Sequence, residues 1–270
     1  MKEFTGDIKL PIKEKAIWLW MNFWKGISSH QIFFLRKFVF WRPDFIEYGR
    51  ETPSRKHING FLREKLPTLI PKSDGSVNIL DIGCGSGYIQ PILAEYVRGN
   101  YVGIDVRKHR NFDKNKVPNL HSTFVIKKVE DFDVEDKFDL IISNTCFEHV
   151  EDDNAGLQNA NRLAAQGGLQ VHVLPSFWSL FLYLWHGYRQ YTPGRIKELF
   201  KGKDYKVYKL GGVFSFFLHL FFVSIPYRFR IQDIFRKYPF YSKLCVCSNY
   251  LDKFLPWMSV MYVVVVKDDV

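Results

Sequence analysis

The sequence predicts an α/β domain: an open, seven-stranded, mostly parallel sheet with helices on both faces, carrying a helical aromatic extension in front. Three observations lead there. From residue 77 onward, apolar runs of strand length alternate with helical patterns, the mark of a parallel sheet built from β-α-β units. The first of these runs closes on Gly83, Gly85 and Gly87, so a strand passes into a turn where backbone can approach another group without a Cβ in the way. The last run, 259–266, is long and β-branched, which suits a strand inside a sheet.

Residues 1–70 read as a helical extension or lid. Ile17, Trp18, Trp20, Met21, Phe23 and Trp24 stand beside Lys13, Lys15 and Lys25, and Ile32, Phe33, Phe34, Leu35, Phe38, Val39, Phe40 and Trp41 follow. Tryptophan beside lysine suits a helix lying in a membrane interface, and it equally suits a lid over a core. Pro53 opens a helix over 54–66, which Pro67 ends. Residues 71–270 form the main domain. Strands are expected over 77–82, 101–105, 122–126 and 138–143, with helices over 87–97 and 154–165. Gly167-Gly168 turns into a strand over 169–174. A helix over 194–200 leads to a strand over 205–210. Between that strand and the last lies an insertion, about 211–256, expected to be helical. It holds Phe214, Phe216, Phe217, Phe221 and Phe222, then Arg228, Arg230, Arg236 and Lys237.

With 47% hydrophobic and 24% charged residues the chain is globular rather than disordered. Its 25 Phe, 14 Tyr and 7 Trp exceed what a core of this size needs and imply an apolar surface or an apolar substrate pocket. The net charge of +10 is unevenly placed. Residues 1–76 carry 14 basic against 8 acidic side chains, 77–200 carry 13 against 15, and 201–270 carry 11 against 5. The basic excess thus sits in the flanks, which an anionic lipid, a phosphorylated substrate, nucleic acid or simply an ordinary basic surface would each account for. Cys84, Cys146, Cys245 and Cys247 show neither metal spacing nor a disulfide framework, and no metal is expected. Cys245 and Cys247 are expected on one face of a strand or loop. A reducing cytoplasm is the expected location. The apolar stretch 16–24 is too short for a secretory signal, and 213–225, interrupted by His219, is too short to span a bilayer.

The sharpest signal is Ile79-Leu80-Asp81-Ile82-Gly83-Cys84-Gly85-Ser86-Gly87, with Asp105 ending the following strand. Dinucleotide loops use G-x-G-x-x-G, whereas Tyr88 follows Gly87 here and the spacing is G-x-G-x-G. This combination resembles the class I S-adenosylmethionine-dependent methyltransferases, which share a Rossmann-like sheet. The likeness continues through Phe138-Asp139-Leu140-Ile141-Ile142-Ser143, Phe147-Glu148-His149-Val150-Glu151-Asp152 (similar to E-H-[IVL]-x-D) and Arg162-Leu163-Ala164-Ala165-Gln166-Gly167-Gly168 with Val173-Leu174-Pro175 (similar to R-x-L-x-x-G-G…P). Tyr191-Thr192-Pro193 resembles the Y-[ST]-P element of the same small-molecule and lipid branch.

The resemblance implies S-adenosylmethionine as cofactor. Backbone at Gly83, Cys84, Gly85 and Gly87 would lie against its methionine and ribose, Asp81 would face its amino end, and Asp105 would take the ribose hydroxyls. Where the family often has an acidic residue for the adenine amino group, this chain has Lys128. Glu130 or Asp131 then stands in, with the backbone of Val129 beside it, and Asn144 joins the cofactor set from the loop after the fourth strand. The donor is already electrophilic, so the protein must mainly align a nucleophile. His149 is the first candidate base. His186 and Tyr191 are assigned to an acceptor lid. His172, alternating with Val171 and Val173, is expected to pack in the sheet.

Three functions compete for this sequence. A small or lipid-linked acceptor, such as a surface-glycan precursor, fits the aromatic-basic flanks and a peripheral place at the inner face of the membrane. A nucleic-acid methyltransferase of the amino-methylating kind would carry [ND]-P-P-[YFW] after the fourth strand, where this chain has Ser143-Asn144-Thr145-Cys146. A non-catalytic scaffold that binds the cofactor is argued against by the intact glycines and Asp105.

Overall fold

The computed structural model describes residues 11–28, 37–70, 75–184, 186–231 and 234–267, with the side chains of 25–28 excluded. The helical expectation at Ile32, Phe33, Phe34 and Leu35 and most of the tail 267–270 lie outside the described residues, as does the side chain of Lys25.

Helix α1 (Ile12–Ser28) comes first, followed by strand β1 (Phe38–Trp41), helix α2 (Pro53–Gly60) and strand β2 (Val77–Ile82). Then come α3 (Gln90–Leu93), β3 (Gly99–Asp105), β4 (Leu120–Ile126), β5 (Phe138–Asn144) and α4 (Asp153–Leu163). The chain continues through β6 (Ala164–Pro175), α5 (Pro193–Leu199), β7 (Asp204–Leu210), α6 (Val213–His219), α7 (Ile225–Arg228), α8 (Pro239–Leu251) and β8 (Met261–Lys267). The strands lie in one sheet in the order β1-β7-β8-β6-β5-β2-β3-β4. Only β8 runs antiparallel to its neighbours, β6 and β7.

The sheet therefore has eight strands rather than the seven expected. The added strand is β1, inside the extension read as wholly helical. Phe38, Val39, Phe40 and Trp41 are aromatic or β-branched, and they pair in parallel with Val207–Leu210 at the free edge of β7. Trp41 packs edge-on against Phe61, centroids 5.2 Å apart, and Phe38 against Tyr262 at 5.6 Å. Alternation along each strand splits the core in two. Ile79, Val171 and Val263 join Phe61, Leu62 and Leu93 on one face, while Leu80, Val264 and Ile141 join Leu157, Tyr191 and Ile196 on the other. Burial of both faces is what helices on both sides of a parallel sheet produce.

Three further expectations change. The helix expected over 87–97 keeps regular α geometry only in α3, with looser turns continuing to Val97. The helix expected over 54–66 is α2 followed by a π-type turn, Phe61–Lys65, and a 3₁₀ turn, Leu66–Thr68. Cys245 and Cys247 lie on helix α8, not on a strand, so a two-residue offset sends them apart: Cys245 is buried and Cys247 exposed.

The insertion is helical and packs on α2. Two buried hydrogen bonds tie them: Ser54 Oγ to His219 Nδ1, 2.9 Å, and His57 Nε2 to Ser215 Oγ, 2.9 Å. Asp252 accepts from the backbone N–H of Phe214 (2.9 Å) and Ser215 (3.1 Å), capping the start of α6. Among the described residues, no helix is long and apolar enough to cross a membrane.

Candidate active site

From β2 the chain builds outward to β3 and β4 on one side, then returns to β5 and β6 on the other. The crevice at such a reversal, beyond the carboxyl ends of the strands, is where open α/β sheets take ligands. The loop after β2 carries the three glycines, all with positive φ: Gly83 at 68°, Gly85 at 49° and Gly87 at 66°. They have different reasons. A Cβ on Gly83 would collide with Cys146, and one on Gly87 with the side chain of Gln90, so both are packing requirements. A Cβ on Gly85 would meet nothing within 4 Å, so open space faces it. Gly85 N–H donates to Asp105 Oδ2, 2.9 Å, and Arg107 N–H approaches Oδ1 at 3.3 Å. Asp105 thus stands half-buried at the rim of that space.

Asp81 lies beneath the loop, 2% exposed, where it accepts from the hydroxyl of Tyr101. Burial pushes its carboxyl up to about 7, against the lowering effect of that hydrogen bond, with a further upward push from nearby Asp105. Cys84 is also buried, its sulfur close to Gly103, so only its backbone can face a ligand. On β4's side, Val129 is buried in a 3₁₀ turn and its carbonyl accepts from Asn159, 2.7 Å. Glu130 is half-buried while Lys128 is exposed.

The end of β5 supplies Asn144, whose amide N–H₂ donates to Tyr88 O–H and whose Oδ1 is buried without a hydrogen-bond partner among the described residues. Thr145 holds a positive φ of 51°, a conformation that costs a β-branched residue roughly 1–3 kcal/mol and that clusters at functional sites. It is fixed by its N–H to Val173 O, 3.0 Å, and by its hydroxyl to Asn144 O, 2.7 Å. A 3₁₀ turn, Phe147–His149, follows and presents His149. His149 Nε2 lies 3.2 Å from His186 Nε2, with the rings perpendicular. The two loops are clamped together by Tyr188 N–H donating to Glu148 O, 2.6 Å. Glu148 is 1% exposed, and burial pushes its carboxyl up to about 8.

The structure moves one expected acceptor residue away from the site. Tyr191 is fully buried, its N–H bonded to Pro175 O and its hydroxyl to Asp153 Oδ2 at 3.2 Å, so it is a core residue rather than part of a lid. Asp153 also holds Arg195, 2.5 Å, and Arg189, 3.5 Å. His172 packs in the sheet as expected, 2.9 Å from Ser143 Oγ.

Sequence reasoning missed the roof. Arg55 on α2 stacks over the ring of Tyr88 at 4.1 Å, a cation–π contact. Tyr183 meets Ser54 at 3.5 Å and packs edge-on to His219. Trp18 of α1 donates its indole N–H to Gly187 O, 2.9 Å. No local pattern marks Arg55, because its partner is thirty-odd residues away across the glycine loop.

Residues 80–171 match the family described as "methyltransferase domain". Among curated proteins, the chain is similar to malonyl-[acyl-carrier protein] O-methyltransferase 2 of Ilyobacter polytropus, 28% identical over 42% of this chain and 44% of that one. It is also similar to the mitochondrial ubiquinone biosynthesis O-methyltransferase of Candida albicans, 28% identical over 38% and 34%. The chain thus spans less than half the length of these curated relatives. Among solved structures, the plantazolicin methyltransferase BpumL in complex with SAH shares the fold with a TM-score of 0.51 at 17% identity, over 82% of this chain and 86% of that one. The N-methyltransferase NodS of Bradyrhizobium japonicum does so with a TM-score of 0.52 at 15% identity, over 81% and 89%. Glycine loop, strand order and family match agree: the chain carries a class I methyltransferase domain, of the S-adenosylmethionine-dependent kind.

Proposed function

We propose that the protein transfers a methyl group from S-adenosylmethionine to a small or lipid-linked acceptor, a surface-glycan precursor being one such class, at a membrane surface. One observation carries the cofactor part: Gly85 faces open space beside a carboxylate, Asp105, that already accepts from the same loop. The residues fit the group. Asp105 offers acceptors for ribose hydroxyls, buried Asn144 Oδ1 lacks a partner among the described residues, and Asp81 offers a carboxylate below the loop. Glu130, half-buried, and the backbone of Val129 are the candidates to meet the adenine amino group. Arg55, over Tyr88, supplies a cation for the methionine carboxylate.

The bound cofactor supplies an electrophilic methyl on sulfonium. The chain's own work is to align an acceptor atom behind that methyl and to drain the proton the acceptor loses. His149 and His186, held 3.2 Å apart in the loops that follow β5 and β6, are the groups for the second task.

The membrane part rests on exposed apolar surface beside that crevice. Helix α1, pinned to Gly187, turns Ile17, Trp20, Met21, Phe23 and Trp24 to solvent. The insertion, joined to α2, exposes Phe217, Phe221, Tyr227 and Phe229 near Arg228 and Arg230. Tryptophan and phenylalanine inserted at headgroup depth, with basic side chains on the headgroups, describe an interfacial contact. The test is twofold. Calorimetry with S-adenosylmethionine and S-adenosylhomocysteine reads cofactor binding. Incubation of methyl-labelled cofactor with a membrane-lipid extract then reads transfer. Binding without any labelled lipid or small-molecule product leaves a cofactor-binding scaffold.

A further inference from the structure

We propose that Glu148, His149 and His186 form a divalent transition-metal site of the zinc type, with an open fourth position toward the acceptor. The inference rests on the methyltransferase reading and assigns a ligand to that same crevice. The donor atoms of these three side chains all lie within 4.8 Å of one another. His149 Nε2 and His186 Nε2 are 3.2 Å apart. Two imidazoles on one tetrahedral zinc, each about 2.0–2.1 Å from the ion, place their nitrogens roughly 3.3 Å apart. The two nitrogens therefore already stand at the separation that shared coordination requires, with the ring centroids 4.6 Å apart.

The third donor is a buried orphan. Glu148 is 1% exposed and its Oε2 has no hydrogen-bond partner among the described residues. A buried carboxylate oxygen left unmatched costs free energy, and a cation beside it removes that cost. The frame is rigid as well. Tyr188 N–H binds Glu148 O at 2.6 Å, and any Cβ on Gly187 would meet Glu148 O, so the two ligand-bearing loops close on each other with no slack. Two histidines and one carboxylate leave one coordination position free, the pattern of catalytic rather than structural zinc. With the ion bound the two imidazoles serve as its ligands rather than as bases, and the metal takes over their task as a Lewis acid beside the acceptor, making a hydroxyl easier to ionise. That favours an oxygen acceptor. Sequence spacing could not have shown the set, because His186 comes from a loop 37 residues downstream.

The experiment uses the full chain, stripped with chelator, and titrates it with zinc chloride and separately with cobalt chloride. The expected result is one equivalent bound, with the intense visible absorption of tetrahedral cobalt. His186→Gln and His149→Gln should each weaken binding by more than about 100-fold, beyond the 10–100-fold that loss of an outer-shell partner costs. Circular dichroism checks that each variant is folded. Glu148→Gln, which keeps the shape, serves as the third variant. Absence of stoichiometric binding to the parent overturns the proposal, and so does undiminished binding in the folded His149→Gln/His186→Gln double variant. S-adenosylmethionine affinity of the metal-free protein is measured in parallel. Cofactor binding without metal binding defeats only the metal site, while metal binding without cofactor binding defeats the methyltransferase reading.

Discussion

Trp18 donates its indole N–H to the carbonyl of Gly187, 2.9 Å away, across 169 residues of chain. This bond joins helix α1 to the loop that carries His186, so the aromatic extension and the proposed acceptor groups share one structural unit. The exposed face of α1 is thereby aimed by the same contact that positions the site. Stacked Trp20 and Trp24, centroids 5.3 Å apart, lie on that face.

The protein is accordingly expected to cosediment with anionic vesicles at low salt and to release as salt rises, since each basic residue near such a surface contributes about 1 kcal/mol. A Trp20→Ala/Trp24→Ala variant should lose most of that binding while keeping its cofactor affinity. Equal sedimentation of parent and variant would remove α1 from the membrane contact.

Gly83 and Gly85 of the loop should separate folding from binding. Gly85→Val adds a Cβ that meets no atom of the protein within 4 Å, so it should fold, at a strain cost of about 1–2 kcal/mol for its left-handed φ. It should nevertheless lose S-adenosylmethionine, whose space the side chain would fill. Gly83→Val collides with Cys146 and should lower the melting temperature much further. Asp105→Ala should weaken cofactor binding by about 1.5–3 kcal/mol, as for a charge-assisted hydrogen bond. Unchanged calorimetric affinity in both Gly85→Val and Asp105→Ala would falsify the placement of the cofactor.

Cofactor affinity should depend on pH through Asp81. Its carboxyl is raised to about 7 by burial, so below that value it is mostly protonated and cannot attract the cofactor's ammonium. Affinity should climb up to about tenfold per pH unit from roughly pH 5.5 to 7 and then level off. Asp81→Asn should flatten the profile in that window.

His149→Gln should reduce turnover by roughly 100-fold or more with cofactor affinity nearly unchanged. Single-turnover rates at saturating acceptor decide this. An unaltered rate returns His149 to a packing role.

Stability should fall on the acid side through the buried histidines. Burial lowers His57 to about 4 and His219 to about 3, the latter with a smaller push from Arg236. The unfolded chain takes up these protons near the ordinary histidine value of about 6.5 while the folded one resists. Stability from this source is therefore full above about pH 6.5 and declines as pH falls toward 4 and then 3, by roughly 3 kcal/mol or more per histidine. Urea unfolding at pH 7 and pH 5 should show the loss, and His219→Asn should reduce it.

Most of the sheet was legible because its strands are apolar on both faces and end in turn residues. Val77–Ile82 appears at the expected bounds, and the other strands differ by a few residues at their ends. The cofactor loop was legible because glycine spacing is a local, chemical signal. What escaped depends on distant partners. Phe38–Trp41 has the same aromatic composition as the helix before it, and only the free edge of β7 makes it a strand. Tyr191 sits in a motif associated with a lid, yet Asp153, from another element, draws it into the core. Arg55 and the Glu148–His149–His186 grouping exist only once loops far apart in sequence are brought together.

The paired hydrogen bonds between α2 and α6 also bear on how this protein can be re-engineered. Ser54 and His57 come from the extension, His219 and Ser215 from the insertion, and the four interlock without solvent. The α2–α6 pair is a single cassette written in two distant stretches of the chain. A chimera that swaps residues 211–256 alone would hand its new occupant two buried partners it does not match, whereas exchanging 52–60 along with it keeps the lock intact. The insertion is therefore exchangeable in this scaffold only together with its partner segment.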